Sequence, residues 1–386
     1  MRKRRHILMI VGTAWMIDAL DVALLSFIMP LLKNDWHLNP TQLGLLGSVT
    51  SVGMIVGAFL CGRLSDKFGR KRVMLWTLFI FSLSNLALSL APDVNWFMFI
   101  RFITGIGLGG ELPVAAALLA DHYRGKEREK ILILGDSFWA YGWILASLMA
   151  FLIIPYFGWR ITAALVSIFS VYAFILRKHL PDDPKVGSPK ENALKILFSR
   201  TYRSPLITLS ILWFITMLTY YGIFLWLPSI LVIKGFSIVN SLGFTLMISI
   251  AQLPGYYLAA FLMDKMNRKI LLSIYLMGTI ISCLFFGFGN NIELILVAGA
   301  FMSFFDLGAW GILIALTPTQ FPIEIRGSGM GTAQAVGRIG ATIGPFLVGW
   351  MIGIGFGIST VLILFVVLLF IAIVVLFFGF NLRNYE

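Results

Sequence analysis

A membrane helix needs about 20 consecutive, mostly apolar residues, and this chain supplies such a segment repeatedly with only short polar gaps between. Segmentation at that length predicts spans at 7–32, 43–62, 73–91, 96–120, 131–154, 160–176, 204–232, 240–263, 270–288, 292–317, 327–351 and 357–380. Twelve crossings in 386 residues leave little chain for a soluble domain. Composition agrees: 59% of residues are hydrophobic and 12% charged, with a mean hydropathy of +0.90, so the bilayer is the solvent. The expected fold is an all-α polytopic membrane protein.

A net charge of +12 would suit a nucleic-acid binder only if the basic residues formed one patch on a soluble surface. Here they sit in the gaps between apolar runs, and no nucleic-acid partner is expected. Cys61 and Cys283 both fall inside predicted spans, and the four histidines lack ligand spacing. Neither a disulfide framework, a metal site nor a cofactor is implied. The opening Met-Arg-Lys-Arg-Arg-His imitates a secretory signal, yet the apolar run continues to about Leu32 without a small-residue cleavage site. It reads as the first span.

Cytoplasmic loops of membrane proteins are enriched in Lys and Arg. With the N-terminus inside, 25 of the 30 basic residues fall in the inner loops and tails. Only Lys33, Arg160 and Lys234 lie outside, and Arg101 and Arg338 lie within spans. Both termini are expected to be cytoplasmic. The longest polar stretch, 177–203, carries Pro181, Pro184 and Pro189 and reads as a linker between an N-terminal half, 1–176, and a C-terminal half, 204–386. Asp66-Lys-Phe-Gly-Arg-Lys71 after span two matches Asp264-Lys-Met-Asn-Arg-Lys269 after span eight at four of six positions, the mark of an internal repeat.

Ionisable residues at a span centre cost about 2.5 to 3.5 kcal/mol each on insertion scales, so those retained are candidates for function. They are Asp18, Asp21, Arg101, Glu111, Asp136, Asp306 and Arg338. Spans three, six, nine and twelve have none, which marks them as peripheral. Asp18 and Asp21 share a helix face, where two carboxylates disfavour each other's ionisation, and one can carry a proton. Arg101 opens a run in which Gly105 and Gly109 form a small-residue packing stripe. Its alternatives are a structural ion pair or a residue that snorkels to the surface. Asp136, Trp139 and Trp143 recur on one face of span five, and Gln334, Arg338, Thr342 and Pro345 on one face of span eleven. Arg338 must face a watery cavity or an acidic partner, Asp136 or Asp306. Tyr220, Tyr221, Phe224 and Trp226 cluster in span seven, Gln252 interrupts span eight, and Trp310 follows Asp306 by one turn.

Gly62-Arg-Leu-Ser-Asp66-Lys-Phe-Gly69-Arg70-Lys71-Arg72 resembles the signature loop of the major facilitator superfamily. The resemblance implies two pseudo-symmetric six-helix halves and a cytoplasmic latch, with Gly62, Asp66, Gly69 and Arg70 favouring the outward-open state. Leu180-Pro-Asp-Asp-Pro-Lys185 resembles a loop of sugar porters and organic-ion carriers. Trp15-Met-Ile-Asp18-Ala-Leu-Asp21, Gly107-Leu-Gly-Gly-Glu111-Leu-Pro113, Asp136-Ser-Phe-Trp139, Tyr220-Tyr-Gly-Ile-Phe-Leu-Trp226, Gly308-Ala-Trp310 and Gly337-Arg338 resemble the bacterial niacin permeases of that superfamily. Two positions depart from that group: Asp136 stands where a glutamate is expected, and Asp306 where an asparagine is.

The resemblance implies a monomeric secondary transporter of the bacterial inner membrane, not an enzyme, that takes up nicotinate or a similar small aromatic carboxylate with protons. Arg338, Trp139, Asp136, Tyr221, Trp310 and Gln252 would bind substrate. Asp21, Asp18, Arg101 and Glu111 would couple protons. Uptake or efflux of another organic ion, aromatic acid or drug is the alternative transport reading. A nutrient sensor lacks an output domain here, and an intramembrane enzyme lacks a nucleophile, base or metal constellation.

Overall fold

The computed structural model describes residues 2–68, 70–109, 125–178, 196–322 and 325–379. Among these, nine helices are long and apolar enough to cross a membrane, and the shorter apolar helices Leu75–Ser89 and Val94–Gly109 supply spans three and four. One of the nine, Glu129–Ile168, runs 40 residues, about twice the length of a crossing, and holds spans five and six. They part at Gly158, whose φ of 75° is open to glycine and strained for other residues. Twelve membrane-spanning helices result.

Apolar side chains exposed on the bundle lie where lipid would meet it. Span three presents Trp76, Phe79, Leu83 and Leu86, span nine Ile274, Ile281 and Phe285, and span twelve Val367, Phe370 and Phe377. Span six adds Ile161 and Ile168. These four spans are among those without an ionisable residue inside the membrane, and their outward faces need none.

Two inner spans break beside a proline. Pro254 lacks the N–H that would bond the Ile250 carbonyl, and span eight divides into Ile238–Ile250 and Gln252–Leu262. Span seven divides into Arg200–Phe224 and Leu227–Ile233 ahead of Pro228. Pro228 leaves the Phe224 carbonyl without its helical partner, and Ser26 Oγ of span one donates to it at 2.9 Å. A kink in one span is thereby tied to another.

More such ties close the bundle end opposite the chain termini. Ser48 Oγ of span two accepts the Phe346 N–H of span eleven at 3.1 Å. The same two spans pack so closely that a Cβ on Gly44 would strike the Pro345 carbonyl, and one on Gly349 the Pro40 carbonyl. Phe151 of span five covers Gly243 of span eight. Toward the terminal end, Glu129 of span five and Arg268 of span nine form an ion pair at 2.7 Å. In the repeated loop after span eight, Asn267 caps span nine by accepting the Lys269 N–H at 2.9 Å.

Candidate functional site

Span five brings Asp136 and Trp139 into the bundle on consecutive turns, and span eleven brings Gln334 and Arg338 in the same way. With Trp15, Met217, Trp310 and Ile314 they line one cavity with about 420 Å³ of empty space, mouth included. Four of the six predicted substrate residues therefore meet here: Arg338, Trp139, Asp136 and Trp310. Tyr221 joins through Arg338, whose Nη1 donates to the Tyr221 hydroxyl at 3.1 Å and lies 3.2 Å from the Met54 sulfur. Both acceptors are neutral, and sulfur is a weak one. No carboxylate among the described residues pairs with Arg338 within 4 Å, so the anticipated structural pairs with Asp136 or Asp306 do not form.

The cavity wall is aromatic and rigid. Trp139 donates its indole N–H to the Tyr220 hydroxyl at 2.6 Å. Tyr220 packs on Trp310 with centroids 5.2 Å apart, and Trp310 meets Trp213 edge-on at 5.3 Å. Trp213 is itself held by Thr317 at 2.9 Å. Trp143 shares the helical face of Trp139 but lies one turn too far along. It packs edge-on against Phe27, Tyr220 and Phe224 and does not line the cavity.

Asp136 is 6% exposed, and its Oδ2 has no hydrogen-bond partner among the described residues. The Tyr256 hydroxyl of span eight lies beside it without making a hydrogen bond of good geometry. Asp306, on span ten, is buried with both carboxylate oxygens unpartnered and stands within electrostatic reach of Tyr220 and Tyr256. Gln252 does not line the cavity. It is fully buried at the start of the second segment of span eight, with neither amide atom bonded.

The proposed coupling residues form a separate station. Arg101 Nη1 meets Asp21 Oδ2 at 2.8 Å, and both side chains are 0% exposed. Asn85 of span three lies beside the same carboxylate without making a hydrogen bond of good geometry. Asp18 is buried one turn earlier on span one. The glycine stripe below Arg101 packs on span two, where a Cβ on Gly105 would overlap the Thr50 carbonyl and one on Gly109 the Met54 carbonyl. Arg101 is placed by that contact. Glu111, Gly69 and the Leu180–Lys185 loop lie outside the described residues; Gly62, Asp66 and Arg70 are described in their backbone alone.

Trp15, Met217 and Ile314 were not singled out as binding residues, because apolar side chains within spans give no sign of which ones a cavity uncovers. Gln334 was visible as part of the polar stripe on span eleven.

The family model described as Major Facilitator Superfamily matches residues 11–255 and 241–384. The Bacillus subtilis protein named as a niacin/nicotinamide transporter, NiaP, is 42% identical over 96% of this chain and 94% of its own length. The niacin transporter NiaP of Acinetobacter baylyi is 36% identical over 97% and 93%, and the benzoate transport protein of the same organism 26% over 87% and 81%. Among solved structures, the proton:xylose symporter XylE superposes with a TM-score of 0.79 at 17% identity, covering 99% of this chain and 97% of that one. The human organic anion transporter MFSD10 superposes with a TM-score of 0.80 at 17% identity, covering 97% and 99%. This chain belongs to the Major Facilitator Superfamily, and it is a multi-pass membrane transporter, not an enzyme.

Proposed function

We propose that the protein takes up nicotinate, or a similar small aromatic carboxylate, together with protons. The observation that carries the reading is Arg338: a cation in an aromatic-walled cavity, bonded to a hydroxyl and a thioether and to no carboxylate. A guanidinium with donors to spare is suited to grip a carboxylate through two parallel hydrogen bonds. Trp139 and Trp310 offer faces for a flat ring. The name of the relative at 36% identity, a niacin transporter, agrees with that chemistry, whereas the name of the relative at 42% adds nicotinamide, which has no carboxylate, so the comparison of acid with amide decides the matter.

In this reading the two halves, 1–176 and 204–386, rock about the cavity, with 177–203 joining them on the cytoplasmic side of the bacterial inner membrane. The tied-off end is then the outer one, and the structure is a state closed to the outside. Asp21 and Arg101 couple the movement to protons: protonating Asp21 dissolves a buried ion pair and frees Arg101 to find other partners. A monomer contains every part of this device.

Displacement of labelled nicotinate from purified protein tests the reading. Nicotinamide lacks the carboxylate and should compete poorly. Arg338→Lys keeps the charge but loses the paired geometry. A charged hydrogen bond contributes about 1.5 to 3 kcal/mol, so affinity should fall about 10- to 100-fold. Equal competition by acid and amide, or normal nicotinate binding by Arg338→Ala, would show that Arg338 does not hold the substrate.

A further inference from the structure

We infer that Asp136 is the partner of the substrate's ring nitrogen, and that one proton enters the site with each substrate to make that contact. The inference rests on the reading of Arg338 as the carboxylate's partner. Arg338 and Asp136 line the same cavity, from spans eleven and five, yet they do not pair with each other. Asp136 keeps an unbonded oxygen although it is nine-tenths buried. A buried carboxylate oxygen without a partner is costly. The cost is offset if the ligand supplies what the protein does not.

Donor counting fixes what that must be. A pyridine nitrogen accepts a hydrogen bond and has no hydrogen to give, and an ionised carboxylate is likewise acceptor-only. Two acceptors facing each other repel. A single proton between them, on either atom, converts the contact into a charge-assisted or neutral hydrogen bond. The proton arrives from the medium, is shared between Asp136 Oδ and the ring nitrogen while the substrate is bound, and returns to the medium on release. No other bond changes.

The ionisable groups around Asp136 leave it this task. Tyr256 of span eight lies beside it without a well-formed hydrogen bond. Tyr220 of span seven accepts from Trp139 and is committed to the wall. Asp306 of span ten is a further acid, Asp18 lies on neighbouring span one, and Arg338 of span eleven is the cavity's cation. None of these is an ammonium or guanidinium paired with Asp136.

Benzoate is the natural probe, since it equals nicotinate with a C–H in place of the nitrogen. Displacement of labelled nicotinate by nicotinate and by benzoate is measured across pH for the native protein, Asp136→Asn, Asp136→Leu and Asp21→Asn. The native protein should favour nicotinate by about 10- to 100-fold, the worth of one charged hydrogen bond. Its affinity should fall with rising pH, approaching tenfold per unit, because binding takes up one proton. Asp136→Asn retains an N–H donor, so it should keep a preference for nicotinate and lose the pH dependence. Asp136→Leu should bring the nicotinate-to-benzoate ratio to about one. Asp21→Asn should keep the pH dependence of binding. A leucine variant that still discriminates, or an asparagine variant whose affinity still tracks pH, overturns the inference. Failure of the native protein to bind either acid overturns instead the reading of Arg338 on which it rests.

Discussion

At the scale of single residues, one cavity holds an arginine and an aspartate that do not pair with each other, together with three tryptophans. The contrast with the other buried charges is instructive. Arg101 and Asp21 pair with each other at 2.8 Å in full burial, although Arg101 Nε and Nη2 and Asp21 Oδ1 keep no hydrogen-bond partner among the described residues. Removing one partner of a buried pair leaves the other uncompensated, at a cost of about 3 to 5 kcal/mol. Asp21→Asn should therefore abolish gradient-driven accumulation by blocking return of the empty carrier, while sparing solute exchange, in which the carrier returns loaded. Uphill accumulation by that variant would remove Asp21 from the coupling scheme. The sequence reading found the cations and acids because a charge within an apolar span is conspicuous, and helical spacing told which of them share a face. Spacing carries no information on what stands opposite, so Trp143 shares a face with Trp139 and yet lies outside the cavity.

At the scale of helices, close approach is set by glycine. Gly105 and Gly109 let span four lie against span two, and a Cβ on Gly105 would enter the Thr50 carbonyl. Gly105→Leu cannot be absorbed by a side-chain rotation, because the obstacle is backbone. Overpacking of this kind costs about 1 to 3 kcal/mol, and the spans must part to accommodate it. The variant should unfold at lower temperature in detergent and lose transport together, since Arg101 rides on the same helix. An unchanged melting temperature would mean that the contact is looser than the backbone positions imply. The helix breaks have a local cause in Pro228 and Pro254, yet proline alone does not mark them, since Pro30 and Pro345 sit inside unbroken helices. The consequence of the first break is not legible in the sequence: the carbonyl freed by Pro228 is capped by Ser26, nearly two hundred residues earlier in the chain. Long-range satisfaction of a local defect leaves no local signal.

At the scale of the whole molecule, the twelve spans follow from length and hydropathy, whereas the closure of one end does not. That closure is a property of one conformation, built from contacts such as Ser48 Oγ to the Phe346 N–H. With Cys61 and Cys283, both free and buried, replaced by serine, Ser48→Cys and Phe346→Cys should cross-link under oxidation, because the Ser48 hydroxyl already meets the Phe346 backbone at 3.1 Å. Alternating access requires this interface to open, so oxidation should stop transport and reduction restore it. Full activity in the oxidised, cross-linked protein would rule out opening at this end.

The central claim is that a proton and an aromatic carboxylate move together through the Arg338 cavity. Purified protein in liposomes, given labelled nicotinate with and without an inward proton gradient, tests it most directly. The account predicts accumulation above the outside concentration only with the gradient, collapse of that accumulation when a protonophore is added, and its loss in Arg338→Ala. Nicotinate that merely equilibrates whatever the gradient, or that Arg338→Ala accumulates as well as the native protein, would contradict it.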